Sequence, residues 1–294
     1  MLTDEALREA IRAAGGGIAV DVWPLSGGLG AAALWRVVLS DGRACVARAF
    51  AEGAAGPAER ERLAMAAARE EGVRVPSVQA EFEVGGCPVL LIDLVPGHTV
   101  LDAIRRRPAD AARLGRSMGE QLARLHGGVA PSALTDEGWL TLGGDALAPL
   151  VALLRRLPDP DRLLHLDFHP LNVLADGEVT GVIDWANARS GPPFLDVARS
   201  QAIIHAARVA GVLPAASPGP DPVDELMRGL RDGHAATFGD DPRPDLSRAW
   251  ALAMTVADVG GHVGSPGSPF TAEVVARLAR DRDAAIARAI ATGT

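Results

Sequence analysis

The stretch that decides the fold covers residues 163–186 and reads LLHLDFHPLNVLADGEVTGVIDWA. Within it, the loop HLDFHPLN at 165–172 places Asp167 and Asn172 five residues apart, with a proline between them. Two β-rich runs follow, VLAD and VTGVIDW, and the Gly177 turn between them predicts a hairpin. The second run carries Asp184. A loop aspartate and asparagine are therefore followed, one hairpin later, by a second aspartate.

This combination of side chains matches what phosphoryl transfer requires. One carboxylate must hold and deprotonate the attacking hydroxyl, while a carboxylate and an amide oxygen must hold Mg²⁺ against the phosphates. The alternative is a polar turn in which Asp167 and Asn172 only satisfy backbone groups. The pattern favours the chemical interpretation, because all three residue types stand at the required places.

The regions on either side differ in character. Residues 1–95 read as helix, hairpin, helix, hairpin, which predicts a small antiparallel sheet with one packed helix. Asp41-Gly42 marks the first hairpin, and Thr3 is a candidate helix cap. Residues 96–294 follow a Pro96-Gly97 break and are mainly helical. Their helical patterns cover 99–126, 145–157, 193–211, 222–237, 246–262 and 271–291.

Composition excludes several classes of protein. The 294 residues carry a net charge of −8, which argues against a non-specific nucleic-acid binder. Two cysteines give no disulfide framework, and the longest apolar runs are far shorter than a membrane helix. The N-terminus lacks the pattern of a signal peptide, so we expect a cytoplasmic protein with no membrane partner, either monomer or dimer. All 29 basic residues are arginine, and the sequence contains neither lysine nor tyrosine.

On the motifs HLDFHPLN, VIDW and the downstream GPPFLDVAR, the sequence resembles the aminoglycoside phosphotransferase family. The resemblance implies an α+β, protein-kinase-like bilobal fold with an antiparallel N-lobe and a mainly helical C-lobe. It implies that Asp167 is the catalytic carboxylate and that Asn172 and Asp184 are the Mg²⁺ ligands. Asp196 would be a buried acid supporting the catalytic loop. His165 would be structural, and His169 is expected to shape the loop by a hydrogen bond.

The same resemblance locates the donor nucleotide, ATP or GTP, in the first lobe. Its phosphates would meet the glycine-rich loop of Ser26, Gly27, Gly28 and Gly30, where backbone N–H groups can approach them. A plain flexible turn is the other interpretation of that loop. The purine edge would pair with backbone groups of Asp93 and Val95, which match the family hinge.

One position departs from the family. Kinase-like enzymes use a lysine on the third strand, paired to a helix glutamate, to hold phosphates. The matching strand CVARAF offers Arg48 instead, and Glu61 is the better partner by spacing, with Glu59 the runner-up. Arginine keeps the charge but is longer and planar, so it changes the geometry. Arg48 could also be a solvated strand residue.

The resemblance implies a phosphotransferase that moves the γ-phosphate to a hydroxyl of a small molecule, such as an aminoglycoside or other antibiotic. Two alternatives stay open: a kinase for an amino alcohol or sugar, and a nucleotide-binding pseudo-enzyme with a regulatory role, which the missing lysine favours. Across 214–245 seven acids stand against three arginines, so a cationic acceptor could be attracted there. A solvated acidic helix face would give the same pattern.

Overall fold

The computed structural model describes residues 3–25, 33–135, 137–213 and 221–293. The first region contains helix α1 (Asp4–Ala13), strands β1 (Ala19–Leu25), β2 (Ala33–Leu39) and β3 (Ala44–Ala49), helix α2 (Ala55–Glu70), and strands β4 (Val78–Val84) and β5 (Cys87–Asp93). The strands form a five-stranded antiparallel sheet in the order β1-β2-β3-β5-β4. The Asp41-Gly42 turn joins β2 to β3 as predicted, with Gly42 at φ 85°.

Helices cover both faces of this sheet, whereas the sequence predicted only one packed helix. On one face Leu7 and Ile11 of α1 are fully buried against Val37 and Leu91. Their spacing of four residues gives α1 one apolar stripe. On the other face, α2 contributes Ala64, Met65 and Ala68 to a core that continues into the helical region. The second face is therefore the one that looks toward the rest of the molecule.

The second region is mainly helical. It contains strand β6 (His98–Thr99), helices α3 (Val100–Arg106), α4 (Ala111–Gly127) and α5 (Val151–Leu154), strands β7 (Arg162–Leu164), β8 (Val173–Asp176), β9 (Glu178–Val182) and β10 (Arg189–Gly191), and helices α6 (Phe194–Val209), α7 (Pro222–Phe238), α8 (Pro244–Gly260) and α9 (Ala272–Gly293). Within the described ranges, no helix is both long and apolar enough to span a membrane.

Two predicted helices are shorter than the sequence suggested. The helix over 99–126 is two helices, because Pro108 interrupts the pattern and a 3₁₀ turn, Pro108–Asp110, separates α3 from α4. The segment 145–157 is mostly a 3₁₀ helix, Gly144–Leu150, with Pro149 inside it, and only α5 is α-helical. In both places proline removes the backbone donor that a continuous helix needs.

Helices α4 and α7 approach to backbone contact, and glycines make this possible. A Cβ on Gly119 would lie 2.2 Å from the Leu230 carbonyl oxygen, and one on Gly233 would lie 2.3 Å from that of Arg116. No side chain fits at such distances. This contact packs α7 directly against α4.

Candidate active site

A single buried carboxylate holds the loop HLDFHPLN in place. Asp196, at the start of α6, is fully buried and accepts the backbone N–H groups of His165 and Leu166, each at 2.7 Å. Burial opposes its charge, but the hydrogen bond and charge of His126 and the backbone donors prevail and lower the pKa of Asp196. These bonds help to hold Leu166 at its positive φ of 62°, a conformation that costs energy in a non-glycine residue.

His165 joins the loop to the hairpin that follows it. Its Nδ1 atom accepts the N–H of Asp167 at 3.2 Å, so Nε2 is the donor to the carbonyl of Ile183 at 3.1 Å. Burial lowers the pKa of His165, which keeps the ring neutral. The buried indole of Trp185 lies against the same ring, with centroids 4.5 Å apart. Both side chains therefore support the loop from behind.

The carboxylate of Asp167 is oriented by its neighbours. Asn172 Nδ2 donates to Asp167 Oδ2 at 2.8 Å, and His169 Nε2 lies 3.4 Å from Oδ1. The Nδ1 atom of His169 accepts the N–H of Leu171, so its Nε2 carries the proton. Burial alone would raise the pKa of Asp167; the His169 hydrogen bond and nearby positive charges overcome it and bring the pKa to about 2. The carboxylate is thus ionised at neutral pH.

Asn172 and Asp184 have the oxygen atoms that a divalent metal needs. The amide nitrogen of Asn172 is occupied by Asp167, which leaves the amide oxygen for other partners. Asp184 follows β9 with a φ of 66°, and the N–H of Ile183 donates to the Asn172 carbonyl at 2.9 Å, so the two residues are neighbours. Among the described residues no cluster of three His, Cys, Asp or Glu forms a complete metal site. Two protein oxygens completed by phosphates and water fit Mg²⁺.

Arg48 lies on β3 and contacts two acids. Its Nε is 2.9 Å from Glu61 Oε2, although the N–H does not point at that oxygen, and its Nη2 donates to Asp184 Oδ1 at 2.6 Å. Burial raises the pKa of Glu61 to about 7; Arg48 acts against this rise and Asp184 adds to it. The runner-up Glu59 pairs with Arg62 on the surface instead. Arg48 is therefore a partly buried bridge rather than a solvated strand residue.

The predicted hinge runs close to the hairpin. The N–H of Asp93 donates to the Ser77 carbonyl at 3.0 Å, so its carbonyl, not its N–H, is the backbone group it can offer to a base. The side chain of Val95 lies on Gly181, where a Cβ would come within 2.6 Å of Val95 Cγ1. The predicted phosphate loop of Ser26, Gly27, Gly28 and Gly30 lies outside the described residues.

Two long-range contacts were missed by the sequence analysis. Buried Arg199 on α6 donates to the Leu166 carbonyl at 3.3 Å and also bonds to Thr255 and Asp258 on α8. Asp258 is half exposed, and its charge interacts with that of Asp167. The arginine of DVAR was the only sequence signal, since it stands three residues after Asp196 on one helix face.

The second missed contact is a buried pair of histidines. His126 on α4 lies 3.2 Å from Asp196 Oδ2 through Nε2, and its Nδ1 is 2.9 Å from Nε2 of His234 on α7. The ring of His234 stacks on Phe238 with centroids 5.0 Å apart. Burial, together with the neighbouring His126, lowers the pKa of His234 to about 3. The support of the catalytic loop thus extends to α7.

Three of the seven acids in the segment 214–245 are hydrogen-bonded to arginine side chains: Asp221, Asp224 and Glu225. Arg208 bonds to both Asp221 and Asp224, and Arg228 bonds to Glu225. The residues 214–220 lie outside the described ranges. The segment therefore offers less free negative charge than its composition suggested.

This arrangement of sheet, catalytic loop and hairpin is that of a protein-kinase-like phosphotransferase. Matches to the model of the phosphotransferase enzyme family, APH, cover residues 21–155 and 133–230. The chain belongs to this family, and membership supports phosphate transfer to small molecules. No curated protein matches the sequence.

Several solved structures share the fold at low identity. Amicoumacin kinase hAmiN, solved in complex with AMP-PNP, Ca²⁺ and Ami, has a TM-score of 0.64 and 15% identity, over 90% of this chain and 87% of its own. A candidate fructosamine-3-kinase from Thermobifida fusca has a TM-score of 0.60 and 18% identity, over 96% of this chain and 99% of its own. The aminoglycoside phosphotransferase APH(3'')-Id from Streptomyces rimosus, in complex with ADP and streptomycin, has a TM-score of 0.60 and 19% identity, over 87% of this chain and 98% of its own.

The histidine pair predicts a particular dependence of stability on pH. Folded His234 stays neutral, whereas the unfolded chain takes up its proton below the ordinary pKa of 6.5. The contribution of neutral His234 to the free energy of unfolding is therefore complete above pH 6.5 and is lost progressively as pH falls toward 3. At pH 5 the free energy of unfolding is lower by about 2 kcal/mol for this reason. In chemical denaturation at pH 7 and pH 5, the wild type should lose about that much more unfolding free energy than His234→Gln.

The exposed His98, replaced by Gln, controls for the general loss of one histidine. Equal pH slopes in the wild type and His234→Gln would contradict the interpretation.

Proposed function

We propose that the protein transfers the γ-phosphate of ATP or GTP to a hydroxyl group of a small molecule in the cytoplasm. The observation that carries the proposal is the arrangement around Asp167: an oriented, ionised carboxylate bonded to Asn172, which in turn adjoins Asp184. Phosphoryl transfer depends mostly on positioning and charge stabilisation, and this arrangement supplies both.

Asp167 is the acceptor for the proton of the attacking hydroxyl. With a pKa of about 2 it is a weak base, so it orients the hydroxyl and takes the proton late. The loose transition state of phosphoryl transfer needs little more than this from the protein. Asn172 and His169 hold the two carboxylate oxygens, so the hydroxyl meets a fixed group.

Asn172 and Asp184 would hold Mg²⁺, which neutralises developing charge on the phosphates when it is bound. Arg48 replaces the usual lysine and directs its positive charge toward the same place. Its bond to Asp184 is compatible with a charged phosphate taking over one donor, because a guanidinium has five N–H groups. The pairing with Glu61 keeps the guanidinium at the sheet while this exchange occurs.

The pseudo-enzyme alternative is less well supported than the enzyme. A decayed site usually loses one of its reacting groups, whereas Asp167, Asn172 and Asp184 are all present and mutually oriented. Arg48 makes the pairing with a helix glutamate that the usual lysine would make, so the missing lysine no longer favours loss of function. Nucleotide turnover decides between the two.

The acceptor is the open part of the proposal. An aromatic cage for choline lacks support, since Trp139, Trp185 and Trp250 are all buried. Half-exposed Asp258 lies within electrostatic reach of Asp167 and is a better candidate than the acidic segment for attracting a cationic group. This supports an amine-bearing acceptor, such as an aminoglycoside or other antibiotic, with an amino alcohol or amino sugar as the metabolite alternative.

The first test combines an acceptor screen with loss of Asp167. Phosphate transfer from ATP and GTP with Mg²⁺ should be measured over antibiotics, amino alcohols and sugars. With the best acceptor, Asp167→Asn should lower kcat by about 10²–10⁴-fold while nucleotide binding changes little. Asp176→Asn, at the exposed end of β8, is the matched control. A variant that keeps half of the wild-type turnover would contradict the role of Asp167.

A second prediction concerns Arg48. Arg48→Ala should raise the nucleotide KM by about 10–100-fold, because a charge-assisted hydrogen bond is lost. Arg48→Lys should retain much of the activity, since an ammonium group can still pair with Glu61. Arg62→Ala, which removes a surface ion pair from α2, is the control. A wild-type nucleotide KM in Arg48→Ala would show that another cation holds the phosphates.

A third prediction separates the two acidic regions. If the acceptor is cationic, Asp258→Asn should raise its KM about 10-fold and weaken the rise of KM with ionic strength. Asp232→Asn, at an exposed position of the acidic segment on α7, should leave both unchanged. The opposite result would assign the acceptor to the acidic segment. A KM that is independent of salt in the wild type would indicate a neutral acceptor.

A further inference from the structure

A second arginine, Arg36 on β2, projects from the same face of the sheet as Arg48. In antiparallel strands, directly opposite residues share a face. Arg36 is opposite Val46, and Arg48 stands two residues after Val46 on the same strand, so all three lie on one face. Because Arg48 reaches Asp184 in the helical region, that face is the one that looks into the cleft.

The position of Arg36 along the strands is equally defined. Trp23, Arg36, Val46 and Ile92 are opposite one another on four neighbouring strands. This row lies two residues, about 7 Å, from the row that contains Arg48. It lies on the hinge side, since Ile92 directly precedes Asp93. Arg36 therefore covers the part of the cleft between the proposed phosphate position and the hinge.

The guanidinium of Arg36 lies over an aromatic ring, and no acid in the described part of the chain neutralises it. Its Cζ atom lies 5.5 Å from the centroid of the Trp23 ring. Its buried Nε has no hydrogen-bond partner, and no ion pair joins Arg36 to an acid, among the residues that the structure describes. A guanidinium group is planar and weakly hydrated, and it can stack on a flat π-system.

We propose that Arg36 is a nucleotide-binding residue that stacks on the purine base of the phosphate donor, with Trp23 behind it. The inference rests on the proposed nucleotide-dependent function and deepens it. The ligand is identified by its chemistry: it is planar, electron-rich and located between the hinge and Arg48. Val46, directly opposite Arg36 in the same row, has a small apolar side chain that can lie against a base.

Binding experiments without turnover test this inference. Affinities of adenosine, Mg²⁺-ATP and inorganic tripolyphosphate are measured by competition against a fluorescent ATP analogue for the wild type, Arg36→Leu and Arg36→Lys. Arg43→Leu removes an exposed arginine from the neighbouring β2–β3 turn and is the matched control. Arg36→Leu should weaken the binding of adenosine and of ATP by the same factor, about 3–30-fold, and leave the affinity for tripolyphosphate unchanged. Arg36→Lys should weaken adenosine as well, because the planar group is lost although the charge stays.

Three results would overturn the inference. A lower affinity for tripolyphosphate with an unchanged affinity for adenosine would show that Arg36 contacts the phosphates and not the base. Unchanged adenosine binding in both variants would remove Arg36 from the site, while nucleotide binding by the wild type would leave the proposed function standing. A wild-type protein that binds none of the three ligands would overturn the proposed function and this inference together. Thermal unfolding shows whether each variant is folded. If Arg36→Leu does not fold, the comparison of Arg36→Lys with the wild type still tests the inference.

Discussion

The bond between the Asp196 carboxylate and two backbone N–H groups of the catalytic loop is the constraint on which the rest of the site depends. A fully buried carboxylate is costly unless hydrogen bonds and a counter-group compensate for it. Here the loop itself supplies two of those bonds, and His126 supplies a third. The charge and the strained loop therefore stabilise each other. Neither His165 nor Leu166 can shift without leaving part of a buried charge unsatisfied, and this fixes the loop that carries Asp167.

Arg48 has a comparable role on the other side of the cleft. A lysine carries a single point charge, whereas the arginine fork reaches Glu61 and Asp184 at once and so connects the sheet, α2 and the hairpin. Under the proposed function, Asp184 would offer its carboxylate to the metal and Arg48 would offer donors to the phosphates. The bond between these two residues therefore marks where the charges of a metal–nucleotide complex would lie.

Local sequence patterns predicted most of the fold, and long-range pairings account for what they missed. The Gly177 hairpin, the Thr3 cap and the Asp41-Gly42 turn each depend on residues within a few positions, so the sequence contains the whole interaction. The contacts of Arg199 with Asp258 and of His126 with His234 join residues 59 and 108 positions apart, and periodicity reports only that such residues are buried. Counting charges along 221–245 did not include Arg208, because that arginine comes from another helix.

The link through Arg199 also constrains how the acceptor side can vary. Its guanidinium bonds to the Leu166 carbonyl on one side and to Asp258 on the other, so one side chain connects the catalytic loop to α8. A change on α8 that moves Asp258 would leave a buried arginine short of a partner and would act on the loop as well as on the acceptor. Variation in acceptor preference is therefore expected at positions of α8 and its neighbours that do not touch Arg199. Asp258 is bonded to Arg199 while its side chain is about half exposed, so under the proposed function one carboxylate would both support the loop and face the acceptor.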